Sequence, residues 1–217
     1  RPRAERQESI GIVGAGPAGL AAAERMRQRG YQVTVYDRHD RVGGLLIYGI
    51  PNFKLEKEVV ERRTKRLVDG GVKFVLNCNV GADVTLEELR QRHDAVLIAT
   101  GVYKPRPLNA PNDRSVVAAL DYLIASNRVG LGDDVPEFTS GALNAKDRRV
   151  VVIGGGDTAM DCVRTTLGVS RSSRSMRPSR SSRPMSIVRV SAGLTRSGVK
   201  NVRYSSSCVR VRRRLPE

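Results

Sequence analysis

The sequence predicts an α/β protein: a doubly wound, mostly parallel sheet followed by the start of a second unit of the same kind. Three observations carry this expectation. Apolar runs alternate with amphipathic stretches along residues 9–101, as strands alternate with crossover helices. A glycine motif, Gly14-x-Gly16-x-x-Gly19, stands at the first strand-to-helix junction. A second turn, Gly154-Gly155-Gly156-Asp157-Thr158-Ala159, repeats that arrangement late in the chain.

The elements follow in order. SIGIVG (9–14) is an apolar run that breaks at glycine. Pro17 then stands where a first helical turn tolerates it, and the helix runs to Gly30. YQVTVYD (31–37) is the next strand. A charged helix over 55–69 can place Leu55, Val59, Val60, Leu67 and Val68 on one face. Its acids Glu56, Glu58 and Glu61 precede its bases Arg62, Arg63, Lys65 and Arg66, as the helix dipole favours, and Gly70 and Gly71 stop it. VKFVLN is a third strand, TLEELRQR a short helix, and DAVLIATG a fourth strand ending at Gly101. Residues 102–147 read as irregular around one helix near 115–125. RRVVVIGGGDTAMDCVRTTL then gives strand, turn and helix again, with Ala159, Met160, Val163 and Leu167 as the expected buried stripe.

From Gly168 the periodicity fails. Residues 170–186 contain no Val, Ile, Leu or Phe, and Ser and Arg dominate. Low apolar content with uniform charge predicts an irregular, basic tail over 168–217. The formal charge of +16 is concentrated there: residues 168–217 hold 13 Lys+Arg against one Asp+Glu. The charge of the tail therefore does not characterise the rest. The three cysteines, Cys78, Cys162 and Cys208, form no CxxC pair and no even framework, which argues against a disulfide scaffold and a cysteine-ligated metal. No apolar run approaches a membrane span of about 18 residues, and the polar start RPRAERQES does not read as a signal peptide. A cytoplasmic setting is the expectation.

The first glycine motif has a chemical reading. Gly14 allows the tight turn, Gly16 lets backbone approach a pyrophosphate, and Gly19 lets helix and sheet pack closely. The helix N-terminus offers unpaired N–H groups to phosphates. Asp37 ends the second strand 21 residues after Gly16, where an acid accepts hydrogen bonds from a ribose diol. The alternative is that these glycines only make a tight turn between strand and helix.

Three stretches carry a family likeness: VTVYDRHDRVGGLLIYGIPNFKLEKEVVERR, DAVLIATGVYKPR and RVVVIGGGDTAMDCVRT. Together, over about residues 9–167, they resemble the small (beta) subunit of bacterial glutamate synthase, an NADPH/FAD-dependent relative of the pyridine nucleotide-disulfide oxidoreductases. The resemblance implies FAD on the first motif, with Gly14, Ala15, Gly16, Pro17, Ala18 and Gly19 around its pyrophosphate. It puts Asp37 on the adenosine ribose, counts Arg38 among the cofactor-binding residues, and places Gly44 and Leu45 toward the flavin and Thr100 and Gly101 beside the cofactor. For Leu45, Ile47 and Ile50 core packing is an equal alternative. Gly154, Gly155, Gly156, Asp157 and Thr158 correspond to the family's NADPH turn, where Thr158 bonds a phosphate or merely caps the helix, and Asp161 has a structural use as an N-terminal acid.

On this likeness residues 1–8 are an extension, 9–110 an incomplete FAD-binding domain and 111–147 a linker. Residues 148–167 begin an NAD(P)H-binding domain, and 168–217 are the Ser/Arg-rich tail. Arg174 and Arg177 stand where 2′-phosphate-binding arginines are expected, but no apolar strand accompanies them, so the match reads as coincidence. The NADPH site is incomplete. The family's N-terminal iron–sulfur region and the segment returning to the FAD domain are also absent from the match, and the tail reads as out-of-frame or disrupted coding.

The implied activity is electron transfer from NADPH to FAD and onward, through iron–sulfur clusters, to a large (alpha) subunit that makes L-glutamate in ammonia assimilation. The cofactors carry that chemistry, so no catalytic side chain and no metal ligand is assigned. His39 and His93 read as surface residues. Two competing readings are a non-catalytic FAD-binding remnant and a nucleic-acid binder using the tail. The second is disfavoured, since only Tyr204 there could stack on a base.

Overall fold

The computed structural model describes residue 2, residues 4–103, 116–145 and 149–168, and the backbone of 208–212. It divides into two units: Arg1–Ile50 with Leu55–Tyr103, and Pro51–Lys54 with Lys104–Glu217. Arg174 and Arg177 lie outside the described residues.

In the first unit the elements run β1 (Ser9–Val13), α1 (Pro17–Gln28), β2 (Gln32–Tyr36), α2 (Leu45–Tyr48), α3 (Lys57–Asp69), β3 (Lys73–Val75), α4 (Leu86–Arg92) and β4 (Ala95–Ile98). The sheet order is β3-β2-β1-β4, every pairing is parallel, and Gly11 of β1 lies between Thr34 and Val96. Successive residues of β1 serve opposite faces. Ile12 packs with Leu20, Ala23, Val35 and Leu67, and Val13 packs with Tyr36, Val84 and Leu89. The inner strands β1 and β2 are covered on both faces, which explains their apolar runs, whereas the edge strand β4 leaves Leu97 and Ile98 exposed.

The second unit holds β5 (Val116–Ala118), α5 (Ala119–Gly130), α6 (Pro136–Thr139), β6 (Arg149–Ile153), α7 (Asp157–Thr166) and β7 (Cys208–Arg212). Its core joins Tyr122 and Leu123 of α5 to Val150 and Val152 of β6 and to Ala159 and Cys162 of α7.

Four expectations are corrected. Residues near 115–125 form a short strand before the helix. The buried residues of α3 are Lys57, Val60 and Leu67, while Val59 and Val68 are exposed. In α7 the buried residues are Ala159, Asp161 and Cys162, and Met160 and Leu167 face outward. The tail is not wholly irregular, because β7 lies between β5 and β6 and runs antiparallel to both.

Candidate functional site

A cleft of about 560 Å³ opens in the first unit, within the roughly 300–1,000 Å³ of small-molecule sites. The end of β1, the start of α1, the end of β2 and the chain after β4 all contribute to it. In a parallel α/β sheet this is the carboxyl edge of the strands, where ligands bind. Of the residues singled out from sequence, Gly14, Gly16, Pro17, Ala18, Asp37, Arg38, Gly44, Leu45, Thr100 and Gly101 line it.

Gly14 begins the turn, and its N–H donates to the Tyr36 carbonyl at 2.8 Å. Gly16 is the N-cap of α1, in extended geometry and without a side-chain cap. The first bond across that end runs from the Leu20 N–H to the Gly16 carbonyl, at 2.9 Å. Pro17 has no N–H to give. The amides of Gly16, Ala18 and Gly19 thus have no partner among the described residues, and a helix start in this state suits an anion. A Cβ on Gly16 would meet nothing within 4 Å, which leaves the approach open to a ligand.

Ala15 and Gly19 act behind the cleft rather than in it. Ala15 is fully buried, and its amide donates to Asp37 Oδ2 at 2.6 Å. Its carbonyl receives the Gly43 N–H at 2.9 Å, fastening the second glycine pair to the first turn. Gly44 has φ +53°, and a Cβ there would stand 2.9 Å from Gly16 Cα. Only glycine lets these two backbones face each other so closely. The alternatives for the apolar residues divide: Leu45 lines the cleft, whereas Ile47 is core.

Asp37 is nearly buried, yet it lines the cleft. Its Oδ1 accepts the His39 amide and faces His39 Nδ1, both at 2.8 Å. Burial pushes the carboxyl pKa up, but the hydrogen bonds from His39 and from the Ala15 and His39 amides outweigh it and hold the pKa below the ordinary value. The carboxylate is therefore charged and braces the glycine turn while facing the cleft. Arg38 lies over the Tyr103 ring, 4.9 Å from its centroid.

Neither histidine is a plain surface residue. His39 lines the cleft. His93 sits against Gly11 and meets the Tyr36 hydroxyl through Nε2 at 2.9 Å. Burial and the Arg92 charge outweigh the Asp94 charge and lower the His93 pKa. His39, Cys78, Asn79, Val80 and Tyr103 are further cleft residues that the sequence reading did not assign. The available signal was the polar run Asp37-Arg38-His39-Asp40 directly after a buried strand.

The second turn, in the other unit, has the same local geometry. Gly156 caps α7 at φ −86°, ψ 177°, and Gly16 caps α1 at φ −78°, ψ −175°. The Cβ positions of Gly155 and Gly156 face open space, and Gly154 takes φ 137° at the start of the turn. Asp157 and Thr158 are exposed in the first turn of α7, and no side chain caps the helix, so Thr158 has no capping role. Asp161 is buried, and both its oxygens accept from Lys54 Nζ at 3.1 Å. That ion pair, rather than the helix dipole, is its structural use.

A parallel sheet with a capless glycine turn, an acid at the end of β2 and a cleft between them defines a dinucleotide-binding α/β unit of the Rossmann kind. The chain belongs to the pyridine nucleotide-disulphide oxidoreductase family, whose sequence pattern it matches over residues 8–200. It is 60% identical over 172 residues to the glutamate synthase [NADPH] small chain of Azospirillum brasilense, covering 77% of this chain and 36% of that one. The glutamate synthase [NADPH] small chain of Bacillus subtilis is 45% identical over 168 residues, covering 76% and 34%. Mycobacterium tuberculosis FprA in complex with NADPH has a similar structure, with TM-score 0.63 at 27% identity over 73% of this chain and 36% of that one. The chain thus spans 34–40% of the length of these curated relatives and of a third from Cereibacter sphaeroides.

Proposed function

We propose that the first unit holds FAD and that the chain is part of an NADPH-dependent flavin oxidoreductase of the glutamate synthase small-subunit type. The observation that carries this reading is the pair of open amides at Gly16 and Ala18, which line one cleft with the Asp37 carboxylate. The residues fit the group. Open space lies over Gly16, the approach of Gly44 to the Gly16 backbone leaves no room for a Cβ on Gly44, and the carboxylate is charged.

In this reading the helix-start amides bind the diphosphate, Asp37 accepts from the ribose, and Gly44, Leu45, Thr100 and Gly101 border the flavin. A bound flavin supplies hydride acceptance and onward electron transfer. The protein's part is to hold the ring and keep water from it, which needs no side-chain acid or base. The turn at Gly154, Gly155 and Gly156, with Asp157 and Thr158 at the helix start, would receive the NADPH pyrophosphate. Electrons would pass onward to a large subunit that makes L-glutamate, with iron–sulfur clusters supplied by sequence outside the matched region.

The test is direct. Purified protein is expected to be yellow, to release FAD on denaturation and to reduce a dye with NADPH. Release of FAD without dye reduction would restrict the reading to the first site. A colourless protein that takes up no added FAD, and binds RNA only at low salt, would replace it with the nucleic-acid reading.

A further inference from the structure

We propose that His39 is a second hydrogen-bonding residue for the sugar of the bound dinucleotide, accepting at Nε2 from a ribose hydroxyl, an inference that rests on the cleft being an FAD site.

The argument starts from the acceptor capacity of Asp37. A carboxylate offers about four lone-pair positions. Oδ1 meets both the His39 amide and His39 Nδ1, and Oδ2 accepts the Ala15 amide. One position remains, on Oδ2, while a ribose diol brings two hydroxyl donors. Asp37 alone therefore satisfies half of the diol, and the second hydroxyl needs another acceptor in the same wall of the cleft.

His39 has the required chemistry. Its Nδ1 stands 2.8 Å from a charged carboxylate oxygen, so the neutral ring carries its proton on Nδ1 and leaves the lone pair on Nε2. No group among the described residues bonds Nε2. The ring lines the cleft with its side chain 27% exposed. It is also held in place, with Tyr48 5.5 Å away and Tyr103 6.1 Å away between centroids. A fixed, single-tautomer ring beside a half-occupied carboxylate recognises a vicinal diol. A brace for Asp37 alone would need only the Nδ1–H.

The experiment titrates flavin-free protein with FAD and with FMN, which lacks the adenosine half. In His39→Asn the amide nitrogen takes the place of Nδ1 and still reaches Asp37, but no atom occupies the place of Nε2. Loss of one neutral hydrogen bond is expected to weaken FAD roughly 3- to 10-fold and to leave FMN unchanged. FAD binding equal to wild type in His39→Asn overturns the proposal, as does an equal loss of FAD and FMN. FAD analogues lacking the 2′- or the 3′-hydroxyl of the adenosine ribose give a readout that does not depend on the variant folding. Wild-type protein is expected to bind both analogues more weakly than FAD, and weakening by only one overturns the second contact. Wild-type protein that binds no FAD at all fails the underlying site assignment, a result separable from any behaviour of the variant.

Discussion

Gly16 and Gly19 lie three residues apart in one turn and answer to different constraints. A Cβ on Gly19 would stand 1.9 Å from the Gly14 carbonyl oxygen, a backbone atom that cannot give way, whereas one on Gly16 meets open space. Gly19→Ala is therefore expected to lower the stability of the first unit by about 1–3 kcal/mol, as overpacking does. Gly16→Ala, at an extended N-cap that alanine can adopt, should leave the melting temperature nearly unchanged. Its methyl group would instead occupy the approach to the helix-start amides and weaken FAD at least tenfold. Thermal denaturation and flavin titration of the two variants check this. Equal loss of stability in both would show that the turn is a packing device only. The roles of these glycines, and the position of Asp37, were legible because glycine spacing and a strand-end acid are sequence-local. The bracing of Asp37 by the Ala15 amide was not, since it joins two segments 22 residues apart that only the folded sheet brings together.

Among the elements, α3 separates what a sequence discloses from what packing decides. Its charge order and glycine stop were readable, but its buried stripe runs through Lys57, Val60 and Leu67, and a lysine is the last residue one assigns to a core. Lys57 is buried because its ammonium donates to the Leu46 carbonyl at 3.2 Å and to that of Ile50. It thereby fastens the chain around α2, whose N-cap Gly44 enters the cleft. Burial pushes its pKa down from 10.5 to about 8. A base depressed in the folded state keeps the proton more tightly when unfolded, so stability rises with pH between the two values. Wild type is expected to gain up to about 1.4 kcal/mol per pH unit in that window relative to Lys57→Met. The Tyr48 hydroxyl, raised by burial and by its bond to Asp40 to about 12, acts oppositely above pH 10, so denaturant melts from pH 8 to 9.5 are the clean comparison. Parallel pH dependences in the two proteins would refute the assignment. In α7 the same lesson recurs: Met160 and Leu167 were assigned inward for their apolarity, but the register places Ala159 and Cys162 there, and Asp161 is held by Lys54.

At the scale of the whole molecule, charge and fold are segregated along the chain. Residues 168–217 carry 13 basic residues against one acid, while the four described strands of the sheet that bears the cleft lie between Ser9 and Ile98. The strand β7 was missed in that tail because the Ser/Arg stretch before it dominated the composition. The sequence Cys208-Val209-Arg210-Val211-Arg212 nevertheless alternates with the period of two that a half-buried strand requires. In the second unit β7 supplies the pairing for both β5 and β6, so removing it strips hydrogen bonds from two strands there and from none in the first sheet. Polyanion binding, being electrostatic, follows the count of cations and falls steeply with salt. Deleting residues 169–217 is therefore expected to abolish retention on heparin at physiological salt and to lower the melting temperature of the second unit. The ratio of flavin to protein should stay unchanged. Chromatography and flavin absorbance on the same preparation measure both. Flavin lost together with the tail would mean that the basic segment completes the cofactor site, and the two functions would then have to be explained as one.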